Sequence, residues 1–369
     1  MRIFAMGDLQ APFARVLAVL QHHNALSPQG RLAPDVQLIT LGDYFDYGTA
    51  NLAAVAAEGI ATLRWLTSHT AEQCTIILGN HDTVRVVEFA QVPSDAEFQQ
   101  AARRARELRA ITDLADRRHA LAEFHNHYPW APPPNYVARD FAAFTCEQRN
   151  LLRELLLHRR FALAVAARLP DGRDALLSHA GVTVRELTLL GLSATTPPTT
   201  VAAALQDVLT AAVCACETSW QLQRNQPLSL APLQIAATAH AESGGLLFHR
   251  PANPARSDAD PTWEFATQAP RRFAPTSLPR FHQVVGHTTH RKLMQLAGTW
   301  PTAATPATAP GKLRTLRVTA TTVEYQAALS RPRSGSTDVI FIDGELHSTA
   351  PEAYELLPLA RLHSNGTSV

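Results

Sequence analysis

The chain has 369 residues, with 33 Lys and Arg against 32 Asp and Glu, a formal charge of +1 and 16 His. Its 46% apolar content supplies a substantial core, which excludes a disordered or collagen-like chain. The near-zero charge excludes a protein whose main task is coating nucleic acid or an anionic membrane.

Met1 to Gln10 passes from one basic residue into a short apolar run that Asp8 interrupts, too short for the core of a signal peptide. No run approaches the roughly 18 uninterrupted apolar residues of a membrane span. Cys74, Cys146, Cys214 and Cys216 are too few and too irregularly spaced for a disulfide framework. A reducing cytoplasm is the expected setting. In chain order, Arg2 to Met6, Val36 to Leu41 and Thr75 to Leu78 read as buried strands. Between them Phe13, Val16, Leu17 and Leu20, and then Leu52, Val55, Ile60, Leu63 and Leu66, recur at helical spacing. This alternation predicts a largely parallel sheet with helices packed on it.

From Pro93 to Arg168 the chain reads helical. Ser94 and Glu97 form a capping box ahead of the stripe Phe98, Ala101, Ala105, Leu108 and Ile111. A break at Pro132-Pro133-Pro134 precedes a second helical run, Cys146 to Ala166. Further on come a strand at Ala175 to Leu177, a helix over Val201 to Gln223 and a strand at Gln283 to Val285. A Thr/Ala/Pro-rich loop over Gly298 to Gly311 leads into strands Leu313 to Thr319, Val323 to Ala328 and Val339 to Ile342, and a helix over Pro351 to Leu362 closes the chain. No internal repeat is visible.

Five polar motifs stand at the ends of these strands: Gly7-Asp8-Leu9-Gln10, Gly42-Asp43-Tyr44-Phe45-Asp46-Tyr47-Gly48, Gly79-Asn80-His81-Asp82, Ser178-His179-Ala180-Gly181 and Gly286-His287-Thr288-Thr289-His290. Each has an ordinary reading. Asp8 at the start of a helix also reads as its cap. His179 and His287 also read as hydrogen-bonded core histidines, and Asn80-His81 as a turn. In this order, however, the five resemble the calcineurin-like metallophosphoesterase superfamily. The tight Gly-Asp-x-x-Asp-x-Gly spacing and the His-Ala-Gly and Gly-His-Thr forms are most similar to its bacterial phosphoprotein phosphatase-type branch, which includes serine/threonine phosphatases and diadenosine tetraphosphatase-like enzymes.

The resemblance implies an α/β fold, a four-layer sandwich of two mixed sheets flanked by helices. The motifs must meet in one site, so a single catalytic unit spanning 1–369 is expected, with a helical insertion at 93–168 and a second, mainly helical one at 195–240. The first insertion is expected to rim the cleft. The chemistry implied is hydrolysis of a phosphate ester by hydroxide activated between two divalent cations, which offset the anionic charge and acidify a water. By the same resemblance Asp43 bridges the metals, Asp8 and Gln10 complete the first site, and Asn80, His179 and His287 hold the second. His81 is the general acid and Asp46 orients it. No Cys or Ser nucleophile motif points to a covalent route.

The chain departs from the family pattern where Gln10 replaces a histidine, which favours manganese or magnesium over zinc, with iron also open. It departs again at Tyr47, where the phosphatase branch has an arginine; a phenol gives one neutral hydrogen bond in place of a charged bidentate clamp. Arg250 and Arg85 are then the candidate phosphate-binding cations, although Arg85 also reads as a surface arginine. The Arg103 to Arg118 cluster is interleaved with Glu107, Asp113 and Asp116 and reads as a solvated face, and His125-Asn126-His127 as a polar turn. The expected partner is a phosphorylated substrate, whether phosphoprotein, nucleotide or small phosphoester, with no membrane or dedicated nucleic-acid binding. A phosphatase is the leading expectation; a phosphodiesterase, a nucleotide or dinucleoside polyphosphate hydrolase and a non-catalytic scaffold are the alternatives. Natural substrate, native metal and oligomeric state are not set by the sequence.

Overall fold

A computed structural model of the chain describes residues 1–48, 50–254, 264, 267–297, 310–326, 328–329 and 333–363. Strands Arg2–Met6, Val36–Thr40, Cys74–Ile77 and Phe161–Ala162 run parallel, and Leu357–Leu359 joins the free edge of Arg2–Met6 antiparallel. A second, mixed sheet orders Val323–Gln326, Arg314–Val318, Thr337–Phe341, His282–Val285, Asp174–Ser178, Ala164–Arg168 and Arg361–Leu362. Its central strands, Thr337–Phe341, His282–Val285 and Asp174–Ser178, are parallel.

Successive strand residues point to opposite faces, and this sorts the core. Ile3, Ala5, Ile39 and Ile77 from the first sheet meet Val165, Ala175, Leu177, Val284 and Ile340 from the second. Met6, Leu38 and Ile76 face the other way, under Val16, Leu20, Ile60, Leu63 and Leu66 of helices Phe13–His22 and Leu52–Thr67. On the far side, Leu293 and Ala297 of helix His290–Ala297 cover Leu316, Tyr325, Val339 and Phe341. The result is the four-layer arrangement of two mixed sheets flanked by helices.

Two predicted helices are corrected. The run Cys146 to Ala166 is helical only over Cys146–Leu157. Arg159 then turns at φ +53°, and the apolar stretch that follows forms strands Phe161–Ala162 and Ala164–Arg168, one in each sheet. An uninterrupted apolar run has no polar stripe to select the helical period, and burial on both faces selects the strand. The tail Pro351 to Leu362 is a short turn, Pro351–Ala353, followed by strands Leu357–Leu359 and Arg361–Leu362. Both fill sheet edges, where Pro358 is tolerated. Residues 298–309 of the expected loop lie outside the described residues.

Helix Pro198–Gln221 is long and apolar enough in composition to cross a bilayer. In this fold it buries Val201, Leu205, Leu209, Val213, Cys216 and Trp220 along one face, against strands Ala164–Arg168 and Asp174–Ser178 and helix Cys146–Leu157, and leaves Asp207 and Glu217 exposed. Helices Asp95–Ala110 and Leu114–His127 pack together, capped by Ser94 and Asp113, and a π-helical turn at Tyr136–Asp140 packs on the first of them. Helix Cys146–Leu157 supports the irregular stretch after His81. Buried Arg149 donates from Nη1 to the carbonyls of Phe89 (3.3 Å), Ala90 (3.2 Å) and Val92 (2.6 Å), and Arg153 adds a bond to Ala90 (3.2 Å). Removing such a charged donor leaves buried carbonyls unmet, so Arg149→Met is expected to lower stability by about 3 kcal/mol. The check is the denaturation midpoint at unchanged m-value; a midpoint equal to wild type would contradict this role.

Candidate metal centre

The first sheet delivers Asp8, Asp43 and Asn80-His81 just beyond the C-terminal ends of its parallel strands, and the second delivers His179 and His287 in the same way. In open α/β sheets this is where ligands collect. His179 and Gly286 are neighbours because Ser178 and Val285 are register partners. Two glycines let the loops close. A Cβ on Gly79 would lie 2.1 Å from Asp43 Oδ1, and one on Gly286 would lie 2.1 Å from Asp8 Oδ1. Asp43 and His287 themselves sit at φ +54° and +57°, a conformation that costs non-glycine residues energy and collects at functional sites. Asp8 does not cap the following helix: Pro12 occupies the cap position, and both Asp8 oxygens accept from the His287 N–H (2.9 and 3.0 Å).

The histidine tautomers follow from their partners. His179 Nδ1 lies 2.7 Å from the Leu41 carbonyl and His287 Nε2 3.1 Å from the Phe248 carbonyl, so each of these nitrogens carries the proton and donates. The other two, His179 Nε2 and His287 Nδ1, are left as acceptors 3.1 Å apart. Asn80 Oδ1 lies 2.9 Å and Asp43 Oδ1 3.5 Å from the same His179 Nε2. Burial lowers the His179 pKa to about 4 and pulls His287 well below the usual histidine value, so both rings are neutral. Four electron-rich atoms thus converge in a buried space, and the donors that reach them are the His81 backbone N–H, 2.8 Å from Asp43 Oδ1, and the Arg250 guanidinium, 3.4 Å from His287 Nδ1.

The carboxylates tell the same story. Burial, then Asp343 and Asp43, push Asp8 far above the ordinary carboxylate range, and burial likewise raises Asp43 against the opposing pull of His81. Asp343 is raised by burial despite Arg314. Neutral imidazoles, an amide oxygen and desolvated carboxylates are the donor set of a borderline-to-hard divalent cation. Asp43, His179 and His287 would hold one such ion together with Asn80. Asp8 is held beside them, its Oδ1 3.9 Å from His179 Nδ1. Gln10 lines the same cleft and gives its Nε2 to the Phe45 carbonyl (3.0 Å), which leaves its carbonyl oxygen as the atom to meet a cation.

His81 sits at the cleft wall with its N–H on Asp43 Oδ1 (2.8 Å), its Nδ1 3.0 Å from Asp46 Oδ2 and its ring against Phe141. Burial alone would lower its pKa, but Asp43 and Asp46 outweigh burial and raise it. Burial works against charge on Asp46 as well, and Arg85 and His81 hold it below the usual range nonetheless. Arg85 does not reach the cleft. Fully buried, it pairs with Asp46 (2.8 Å), donates to Gln148 Oε1 (2.9 Å) and the His81 carbonyl, and lies over the Phe45 ring. It therefore corrects the expectation of a phosphate ligand: Arg85 positions Asp46 and hence His81. Tyr47 is not among the residues lining the cleft either, and its phenol is raised by partial burial and by Glu58. Asp46, at φ +67°, is the residue of this turn that faces inward.

Arg250 does line the cleft. Its guanidinium donates to the His287 carbonyl (3.3 Å from Nε, 3.1 Å from Nη2), and burial draws its pKa down to about 10 against the pull of Asp43, Asp8 and Asp343. The two residues before it complete a brace, since Phe248 fixes the His287 ring and His249 Nε2 lies 3.0 Å from the Gly181 carbonyl. Sequence reasoning missed two acids. Asp82 accepts from the N–H groups of Gly79 (2.7 Å), Asp43 (2.9 Å) and Tyr44 (3.0 Å), tying the second and third motifs together. Asp343 follows strand Thr337–Phe341 just as Asp8 follows Arg2–Met6, and Ile342-Asp343-Gly344 was the available signal.

The family model of calcineurin-like phosphoesterases matches residues 1–207, more than half of the chain. The chain belongs to the calcineurin-like phosphoesterase family. The matched stretch contains Asp8 through His179; Arg250 and His287 come after it. No curated protein matches the chain. Similar solved structures include a cold-active protein tyrosine phosphatase, 13% identical with a TM-score of 0.32, and the cold-active protein-tyrosine phosphatase of a psychrophilic Shewanella, 13% identical with a TM-score of 0.33. The matches cover 79% of this chain in both cases and 65% and 69% of those chains, so the chain spans less than two thirds of the first.

Family members of this kind are metal-dependent phosphoesterases, and the donor set fits that chemistry. Because Asp82 orients the loops that carry Asp43 and Asn80, Asp82→Asn, which places an amide N–H where an acceptor is required, is expected to weaken metal binding about 10-fold or more. Competition against a chelating indicator measures this. Unchanged affinity in a folded variant would remove Asp82 from the account.

Proposed function

We propose that the protein is a phosphatase that hydrolyses phosphate monoesters by direct attack of water, with His81 as general acid. When bound, two divalent cations, manganese foremost, would supply charge neutralisation and a more acidic water. Asp43 and Asp8 together with Gln10 would hold one ion, and Asp43 with Asn80, His179 and His287 the other. The chain's own groups do the rest. Arg250 faces the cleft with charge to spare for a phosphoryl oxygen. As the bond from water oxygen to phosphorus forms and the bond to the leaving oxygen breaks, the water releases one proton to solvent, His81 gives its proton to the leaving oxygen and is reprotonated from solvent, and Asp46 and Arg85 keep the ring oriented.

The observation that carries this reading is the convergence of His179 Nε2, His287 Nδ1, Asn80 Oδ1 and Asp43 Oδ1 beside a histidine whose pKa is raised. The cleft's additional cations, Lys292 and Arg272 among them, favour a dianionic monoester over a diester and offset the lack of an arginine at position 47.

His81→Ala is expected to lower turnover of p-nitrophenyl phosphate by about 10²-fold or more with metal content retained. Asp43→Asn is expected to lose both. Steady-state kinetics with elemental analysis of the same samples decides the matter, and a bis(p-nitrophenyl) phosphate arm tests the monoester preference. Wild-type turnover in both variants would refute the assignment.

A further inference from the structure

The cleft has a volume of about 580 Å³, within the range of small-molecule sites, and carries more positive charge than one phosphoryl group uses. Besides Arg250 it is lined by Arg139 from the π-helical turn, by Arg271 and Arg272 and by Lys292 from helix His290–Ala297. Arg139 and Arg271 have carboxylates of their own, Asp140 and Glu242. Arg250 and Arg272 are register partners in a two-stranded parallel ribbon. The Lys292 ammonium has no hydrogen-bonding or ion-pairing partner among the described residues; only its backbone N–H is engaged, by Thr289 Oγ1 at 3.1 Å. Burial first, and then Arg250, Arg272, Arg271 and Arg139, hold its pKa below the ordinary lysine value. Cations gathered from the π-helical turn, the ribbon and helix His290–Ala297, with exposed Lys292 left without a carboxylate among the described residues, give the cleft a surplus of positive charge that an anion can use.

Resting on the phosphatase reading above, we propose that Lys292 binds a second phosphoryl group of the substrate, so that the cleft takes a small molecule bearing two or more phosphoryl groups, one at Arg250 and another at Lys292. That second group is either the next link of a phosphate chain or a phosphate on a separate carbon. The reaction is unchanged: water oxygen bonds to the phosphorus at Arg250 and sheds a proton to solvent, the bond to the leaving oxygen breaks, and that oxygen takes the proton of His81, which solvent restores.

Two probes separate these sources, inorganic pyrophosphate for the chain and fructose 1,6-bisphosphate for the separated pair, with p-nitrophenyl phosphate as the single-phosphoryl reference. Calorimetry on the full-length protein is expected to show at least one of the two probes bound about 10-fold more weakly by Lys292→Gln than by wild type, and Lys292→Arg is expected to restore most of the difference. In kinetics, KM for that probe is expected to rise about 10-fold more than KM for the reference. A loss confined to one probe assigns that source. If neither probe binds the wild type, or both bind Lys292→Gln as tightly, the inference is overturned. If p-nitrophenyl phosphate is not hydrolysed and no metal is present, the phosphatase reading fails instead, and calorimetry still decides the second-phosphoryl site.

Discussion

Two neutral imidazoles, each tied by one nitrogen to a backbone carbonyl, turn their remaining lone pairs toward one another across 3.1 Å. An amide oxygen and a carboxylate oxygen share the same space. In water such a cluster would simply hydrate. Here it is buried, and a shared cation would relieve the repulsion among desolvated acceptors. Much of the remaining site serves to keep these atoms in place against that repulsion.

Several devices do so. The parallel strands place each donor one to three residues beyond a rigid end, glycines at 79 and 286 let carboxylates approach within the radius of a side chain, and Asp82 bonds three N–H groups from two loops. The Phe248–Arg250 segment bridges the loops of His179 and His287. Farther out, Arg149 secures the irregular stretch behind His81, and the π-helical turn lays Tyr136, Arg139 and Asp140 along the cleft. The segment 93–168 thereby supplies part of the cleft wall. It also contains two strands, so its character is not purely helical.

What the sequence made legible was the strand-end chemistry. An apolar run that stops at Gly-Asp, Gly-Asn-His or Gly-His advertises both the strand and the polar group it delivers, and four such ends, with Ser178-His179 in order among them, constrain one another. Single side chains after a tight turn are harder to place, because one positive-φ residue reverses their direction. Tyr47 illustrates this: it follows Asp46, which stands at φ +67° and meets His81, and Tyr47 itself does not line the cleft; Arg85 was misplaced for another reason, being fully buried behind Asp46. Asp343 escaped notice because one Ile-Asp-Gly after a late strand is commonplace until the strand order brings it to Asp8. The tail went astray for a different reason, since its Leu and Pro residues answer to sheet edges that local spacing does not reveal.

The central claim is that this cage holds two cations. Anomalous X-ray diffraction from crystals of the full-length protein grown with manganese tests it directly. The account predicts two anomalous peaks, one among Asp43, Asn80, His179 and His287 and the other between Asp43 and Asp8 with Gln10 alongside. No peak in the cage, or peaks only at surface carboxylates, would contradict it.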